Sequence, residues 1–269
     1  MKNKTLWISI FIFVVLAAIF AFTDLQIMES VADPESRWAY YFEAYGQLPG
    51  MLVAFLGGNI LLRSNKFKKT FKSISTGILL FILTTFMGAG FWGDVFLMQI
   101  TKDFTQPLVL PLTLISIIII QILFRRISDE KIEKLKPIGI VVVLLFILAV
   151  FATVWGIKFA WGRWTYRDML EAGDLSLFTP WYIPQGNNGH HSFISGHTAM
   201  AFLVLPAVLL FRENKKHYLI AWILALVWGI LGAISRVAIG AHFPSDVLFG
   251  GGVTILWFMI LKNRFIKDQ

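Results

Sequence analysis

Long apolar runs, separated by short clusters of charged residues, recur along the whole chain. A helix needs roughly 20 mostly apolar residues to cross a bilayer, and eight stretches come close enough to this length to qualify. They cover residues 5–23, 48–63, 73–98, 107–124, 138–157, 197–211, 218–235 and 246–261, and the sixth and eighth are short. The pattern predicts an all-α fold, a polytopic transmembrane helical bundle of about eight spans.

The composition supports a membrane protein and argues against several other classes. Apolar residues make up 57% of the 269 residues and charged residues 15%, whereas a soluble domain carries about 25% charged residues. Disordered proteins, collagen and nucleic-acid-binding domains do not need long apolar runs, so we expect no nucleic-acid partner. The absence of cysteine excludes disulfides, thiolate nucleophiles and cysteine-based zinc sites.

The first apolar stretch could be a secretory signal or a retained helix. Its apolar core is longer than that of a signal, and residues 20–24 lack the small-x-small cleavage pattern, so we expect a retained helix. Residues 24–47, which begin at Asp24, are expected to form an outer amphipathic connector that packs at the membrane interface.

The distribution of lysine and arginine predicts the orientation of the chain. If the N-terminus is cytoplasmic, the inner segments hold 18 of the 24 basic residues, and the outer segments hold 11 of the 16 acidic residues. Cytoplasmic segments carry the excess of Lys and Arg in membrane proteins. We therefore expect an integral protein of a cell membrane, bacterial by interpretation, with both termini cytoplasmic and the 158–196 loop outside.

Basic residues and histidines that break this bias converge on the outer side from three separated segments. A single charged residue at a membrane boundary commonly extends its head group into water and needs no function. Here several such groups fall near each other, which favours a site. They are Lys158, Arg163, Arg167 and Arg236, together with His190, His191, His197 and His242.

The last of the three segments pairs a histidine with a carboxylate. Pro244 suits the first position of a helix, which places Asp246 in the first turn, four residues after His242. A carboxylate within reach of one ring nitrogen fixes the tautomer and frees the other nitrogen to act as a nucleophile or base. The alternative is that Asp246 merely caps the helix and His242 lies at the interface.

The other two segments suit an anion. Ser195-Gly196-His197 opens a predicted helix, where backbone N–H groups bind anions and a histidine can deliver a proton, although Ser-Gly is also an ordinary cap. Lys158, Arg163 and Arg167 place three cations in ten residues. Such a cluster suits a phosphate, whose oxygens arginine binds in bidentate fashion.

Taken together, the three segments resemble the phosphatidic acid phosphatase type 2 superfamily. Its motifs are Lys-x6-Arg-Pro, Pro-Ser-Gly-His and Ser-Arg-x5-His-x3-Asp, in that order. The third matches at Ser235, Arg236, His242 and Asp246, and the second at Ser195, Gly196 and His197 with Ile194 in place of proline. The first matches at Lys158 and in the Gly162-Arg163 pair, but Thr165 and Tyr166 replace its Arg-Pro, which leaves Arg163 and Arg167 as candidates for the missing arginine.

The resemblance implies a membrane phosphatase that acts on a lipid phosphate monoester or pyrophosphate at the extracytoplasmic surface. It implies His242 as nucleophile, Asp246 as its orienting group and His197 as proton donor, with Lys158, Arg163 or Arg167, Ser195, Gly196 and Arg236 holding the phosphate. No metal or cofactor is implied, and the partners are the lipid substrate and membrane lipids. Residues 1–137 are then four N-terminal spans with connectors and 138–269 the catalytic core, and the oligomeric state stays open.

Four other interpretations start from the same residues. A lipid transporter or flippase could use the cations to bind a phosphate head group, although transporters place charge near the bilayer midplane. A metal site could form from His190, His191, His197 and Asp246. A vanadate-dependent haloperoxidase shares the motifs but not the membrane spans. A phosphatase-like protein without activity would explain Thr165 and Tyr166.

Overall fold

The computed structural model describes residues 2–66, 70–96 and 102–266, and in these ranges the chain is helical with no strand. The helices are α1 (Lys2–Val31), α2 (Arg37–Tyr45), α3 (Leu48–Ser64), α4 (Phe71–Phe96), α5 (Lys102–Phe124), α6 (Asp129–Leu145), α7 (Trp155–Trp161), α8 (Tyr166–Ala172), α9 (Gly196–Ala201), α10 (Lys215–Ala238) and α11 (Pro244–Phe265). A π-helical stretch, Phe146–Val154, joins α6 to α7, a short 3-10 turn covers Leu175–Leu177, and a longer 3-10 stretch, Phe202–Phe211, continues α9.

The predicted transmembrane bundle is confirmed. Seven helices in the described ranges are long and apolar enough to span a membrane, and the predicted sixth stretch corresponds to a shorter apolar helix, Gly196–Phe211. The predicted eighth stretch is longer than expected, because α11 extends from Pro244 to Phe265. The end of the third stretch, residues 97–98, and three of the basic residues assigned to the inner side, Lys68, Lys69 and Lys267, lie outside the described residues.

The prediction for residues 24–47 was wrong at its beginning. Helix α1 does not end near residue 23 but continues to Val31, and Asp24 is buried at 1% exposure. A carboxylate inside an apolar helix is stable only where another group compensates its charge, and the compensating group comes from the other half of the chain. The remainder of the segment forms the short helix α2.

Helix α3 lies at the centre of the bundle and packs against α4, α6 and the 3-10 stretch after α9. Glycine permits the closest of these approaches. A Cβ atom at Gly50 would lie 2.0 Å from the Met200 carbonyl oxygen at the end of α9, so a larger residue would push α9 and the 3-10 stretch that continues it away. Apolar side chains on the outer helices are exposed, as Ile118 and Ile119 of α5 illustrate, which suits contact with lipid tails.

The ends of several helices meet at one end of the bundle. The Asp33 amide, after α1, donates to the Ala238 carbonyl at the end of α10 over 2.6 Å. The Arg167 amide of α8 donates to the Gly240 carbonyl in the turn before α11 over 2.9 Å. These contacts bring α1, α8, α10 and α11 together, and the candidate site residues lie among them.

Candidate active site

His242 and Asp246 face each other at the turn between α10 and α11. Nδ1 of His242 lies 3.6 Å from Oδ2 of Asp246, a distance slightly longer than that of a hydrogen bond. Within the described residues this ring nitrogen has no hydrogen-bond partner. The arrangement orients the ring with Nδ1 toward the carboxylate, which leaves Nε2 for chemistry.

The Asp246 carboxylate is completely buried and held from several directions. Its Oδ1 accepts a hydrogen bond from Arg163 Nη1 over 2.6 Å. Its Oδ2 accepts from the Phe243 amide over 2.9 Å and from the hydroxyl of Ser192. Because each oxygen is engaged, the carboxylate cannot rotate freely, and the position of the His242 ring is fixed with it.

Arg163 lies in the interior behind Asp246, at 0% exposure. Besides Asp246, its guanidinium group donates to the Thr179 carbonyl over 2.9 Å, to the Ser245 hydroxyl over 2.9 Å and to Asp24 Oδ2 over 2.9 Å. All three of its nitrogens therefore donate to protein acceptors. This placement does not favour the expected direct contact between Arg163 and a substrate phosphate.

Burial changes the protonation of His242. Desolvation lowers the pKa of this imidazole to about 4 from its ordinary value of 6.5, and the positive charges of Lys158 and Arg236 add to the effect, while Asp246 opposes it. Burial disfavours the charged form of a histidine. The ring is therefore neutral at physiological pH and keeps a free lone pair.

The Ser195-Gly196-His197 segment forms the start of α9 as predicted. The Ser195 hydroxyl caps the helix by accepting from the Thr198 amide over 3.3 Å, and the Ser195 amide donates to the Asp246 carbonyl over 3.0 Å. Gly250 of α11 lies directly against this segment, since a Cβ there would be 2.4 Å from the Ser195 carbonyl oxygen. The cap thus binds α9 to α11 and sets His197 beside the His242 turn.

Lys158 at the end of α7 reaches the same region. A Cβ at Gly196 would lie 3.7 Å from Lys158 Cε, so the lysine passes beside the start of α9. Its ammonium group donates to the His191 carbonyl. His197 is within electrostatic range of Lys158, Arg236 and His242, which places two histidines among several cations.

Arg236 is a further buried cation of this region. It is 3% exposed, and its Nη2 donates to Glu43 Oε1 over 3.0 Å. Its Nε and Nη1 have no hydrogen-bond partner among the described residues. Arg167 lies on the other oxygen of the same carboxylate, with 3.6 Å between its Nη1 and Glu43 Oε2, and its side chain is 38% exposed.

The structure therefore separates the two arginines that the sequence left as alternatives. Arg163 is enclosed behind Asp246, whereas Arg167 lies within electrostatic range of His197 and shares the Glu43 carboxylate with Arg236. We call Lys158, Arg167, Arg236 and His197 the cation pocket. Thr165 does not take the place of the motif arginine, because its side chain caps α8 by accepting from the Asp168 amide over 3.0 Å.

The remaining predicted histidines lie at the margin. The His190 ring stacks on Trp164 with 3.4 Å between ring centroids, and His191 is exposed. In the described ranges, no group of three or more His, Asp or Glu side chains is arranged to hold a metal ion. The alternative of a metal site built from His190, His191, His197 and Asp246 therefore finds no support in the geometry.

Sequence reasoning missed three residues that touch the site, namely Asp24, Glu43 and Ser192. Two of them come from α1 and α2, far from the motifs along the chain, and Ser192 precedes the second motif by only three residues. One indication was present for Asp24, because an ionisable residue directly after a long apolar run needs a partner. Nothing local distinguished Glu43 from the other acidic residues of its segment.

Comparison with known proteins agrees with the motifs. Residues 138–267 match the model of the PAP2 superfamily. Over 89 residues, 31% of this chain and 44% of the relative, the chain is 35% identical to phosphatidylglycerophosphatase B of Bacillus subtilis (strain 168). Over 140 residues, 51% of this chain and 62% of the relative, it is 33% identical to lipid A 4'-phosphatase of Francisella tularensis subsp. novicida.

A third relative extends the range of named substrates. The chain is 26% identical to undecaprenyl-diphosphatase of Sulfolobus acidocaldarius over 118 residues, 44% of this chain and 50% of the relative. The chain spans about half the length of these curated relatives. No solved structure gives a significant match. Matched motifs, a matched family model and named relatives agree, and this membrane protein therefore carries a PAP2 superfamily domain at residues 138–267.

Proposed function

We propose that this protein is a lipid phosphatase that removes phosphate from a membrane lipid phosphate monoester or pyrophosphate. The relatives are named for acting on phosphatidylglycerophosphate, lipid A and undecaprenyl diphosphate, which share a phosphate on a membrane-anchored lipid. Phosphatidic acid has the same chemistry. The protein acts through a covalent phosphohistidine and needs neither metal nor cofactor.

One observation carries the proposal. Arg236 is buried, yet its Nε and Nη1 have no acceptor among the described residues. A buried donor without an acceptor costs about 1–3 kcal/mol, and a phosphate oxygen would supply the acceptor. The two unpartnered nitrogens belong to the cation pocket, and the His242 amide donates to the Arg236 carbonyl over 3.2 Å, so the arginine and the histidine lie close to each other.

The side chains divide the reaction between them. Nε2 of His242 attacks phosphorus, and the N–P bond forms as the bond between phosphorus and the lipid oxygen breaks. His197 gives a proton to the departing oxygen. Water, deprotonated by His197, then attacks phosphorus and breaks the N–P bond, which releases phosphate and regenerates neutral His242.

The fixed cations supply the charge stabilisation that phosphoryl transfer requires. We assign the phosphate oxygens to Lys158, Arg167 and Arg236, together with the Gly196 amide, because the predicted Ser195 amide already donates to the backbone carbonyl of Asp246 over 3.0 Å. Arg163 is assigned a different task, since its guanidinium group holds Asp246 Oδ1 at 2.6 Å. Each prearranged donor is typically worth about 3–4 kcal/mol in the transition state.

Phosphate release by purified full-length protein in detergent tests the activity and separates it from transport, because detergent leaves no second compartment. A panel of phosphatidic acid, phosphatidylglycerophosphate and undecaprenyl diphosphate gives the preference. His242→Ala should abolish phosphate release. It should also abolish the acid-labile phosphoenzyme that the unaltered protein forms with radiolabelled substrate. His217→Ala, an exposed histidine in the first turn of α10, is the matched control, and phosphoenzyme in His242→Ala would contradict the mechanism.

The role of His197 is tested through the leaving group. His197→Ala should slow cleavage of a lipid phosphate about 10²–10⁴-fold, the usual range for a general acid. A nitrophenyl phosphate has a more acidic leaving group that needs no proton, so its cleavage should slow much less. An equal loss for both substrates would contradict the assignment.

We place the site on the extracytoplasmic side from the distribution of basic residues. Because the chain has no cysteine, a single introduced thiol reports its side without background. Glu171→Cys near the end of α8 and Lys215→Cys at the start of α10 are both exposed positions. An impermeant maleimide should label only Glu171→Cys in intact cells, and the reverse pattern would overturn the orientation.

A further inference from the structure

Asp24 connects helix α1 to the catalytic turn, although it lies outside the matched domain. The carboxylate accepts from the Ser245 amide over 3.0 Å, from the Ser245 hydroxyl, and from Arg163 Nη2 over 2.9 Å. Its side chain is 0% exposed. Every one of these donors lies in the PAP2 domain, next to Asp246.

The buried groups alternate in charge. Arg163 lies between two carboxylates, with Nη2 on Asp24 at 2.9 Å and Nη1 on Asp246 at 2.6 Å. The second oxygen of Asp246 faces His242. With both carboxylates ionised the Asp24-Arg163-Asp246 cluster carries a net charge of −1.

This net charge matches what the proposed reaction requires. The His242 ring becomes positively charged when Nε2 bonds to phosphorus. If Arg163 had Asp246 as its only carboxylate partner, the two would form a neutral pair and stabilise that charge poorly. A second carboxylate on the far side of Arg163 restores one negative charge behind the ring, where low local polarity strengthens the effect.

We propose that Asp24 is a positioning residue that acts through Arg163, an inference that rests on the proposed function. It fixes the guanidinium group that holds Asp246, and it keeps the buried cluster negative behind His242. The first transmembrane helix is thereby part of the catalytic apparatus rather than only a membrane anchor. Asp24 itself does not touch substrate.

The test compares Asp24→Asn with Glu29→Gln in the full-length protein in detergent. Both variants replace a carboxylate with an amide on α1, but Glu29 is exposed. Removing a group that orients a catalytic ligand typically costs about 10–100-fold. Asp24→Asn should therefore lower kcat by about that factor with KM changed less than about threefold, whereas Glu29→Gln should keep both constants.

A split between kcat and KM distinguishes positioning from a general loss of structure. Asp24→Asn should also slow formation of the phosphoenzyme in a single turnover by the same factor as kcat. Unchanged kcat in Asp24→Asn would overturn the proposal, and so would a loss confined to KM. Hydrolysis by the unaltered protein and its loss in His242→Ala test the proposed function separately, so the two failures are distinguishable.

If Asp24→Asn does not fold, Ser245→Ala provides the second measurement. It removes the hydroxyl that donates to Asp24 but leaves every charge of the cluster in place. We expect a smaller decrease, again in kcat and not in KM. An unchanged kcat in folded Ser245→Ala would then overturn the proposal.

Discussion

Replacing each of the two neighbouring arginines, Arg163 and Arg167, by methionine should produce two different defects. Methionine keeps part of the side-chain volume and removes the charge. Arg163 is enclosed between Asp24 and Asp246, so Arg163→Met leaves two buried carboxylates without their cation. Removing one partner of a buried ion pair costs about 3–5 kcal/mol.

The corresponding cost for Arg167 is small. Its side chain is 38% exposed, and 3.6 Å separate its Nη1 from Glu43 Oε2. Such pairs contribute about 0–1 kcal/mol to stability. The effect of Arg167→Met should instead appear in turnover, because a prearranged donor to the transition state is worth about 10²–10³-fold.

Thermal unfolding followed by tryptophan fluorescence, together with kcat/KM on one lipid phosphate, separates the two roles. For a protein of this size a loss of 3–5 kcal/mol lowers Tm by roughly 6–20 °C. We expect that shift in Arg163→Met and a shift of only a few degrees in Arg167→Met. The reasoning is refuted if Arg163→Met keeps its Tm and loses only kcat/KM, or if Arg167→Met keeps full activity.

Three further predictions concern the pH profile, the cation pocket and metal ions. Because burial lowers the pKa of His242 to about 4, kcat/KM should fall as the pH decreases through that value and not near 6.5. The same acid limb of the pH profile should appear with lipid phosphates whose own phosphate pKa values differ. An acid limb near 6.5 for all of these substrates would contradict the prediction. Arg236→Lys keeps the charge but loses the guanidinium donors, so kcat should fall about 10²–10³-fold. Glu43→Gln leaves both unpartnered nitrogens of Arg236 in place, so it should lower kcat less than Arg236→Lys does. A larger loss of kcat in Glu43→Gln would count against the assignment. Activity should be unchanged in EDTA, and a loss that only added metal restores would reveal a metal requirement.

Much of the fold and the core of the site followed from local features of the sequence. Hydropathy alone identified the spans, because a segment in lipid must satisfy all its backbone hydrogen bonds within itself and therefore forms a continuous apolar helix. His242 and Asp246 could be paired from sequence because they are only four positions apart, and the helix that begins at Pro244 brings the carboxylate back toward the histidine. The position of Ser195-Gly196-His197 at the start of α9 was also predicted correctly, because a helix cap is recognised from neighbouring residues.

The different contacts of Arg163 and Arg167 could not be predicted from local features of the sequence. Both Arg163 and Arg167 follow Lys158 within ten residues, and their local sequence offers no reason for different roles. The difference arises because the chain reverses at Gly162, which has a φ of +58°, and Arg163 then enters the interior while Arg167 lies on α8. Only the packing of other elements decides which guanidinium group meets carboxylates and which faces the pocket.

The sequence by itself determined a membrane bundle with a histidine-carboxylate pair and cations gathered at one end, since hydropathy, charge bias and short motifs are properties of neighbouring residues. The tertiary structure decided which groups compensate those charges. Asp24 reaches Ser245 across 221 positions and Arg163 across 139, and Glu43 reaches Arg236 across 193. A buried charge requires a partner, but the partner can come from any helix that packs against it, and that choice is made only when the helices assemble.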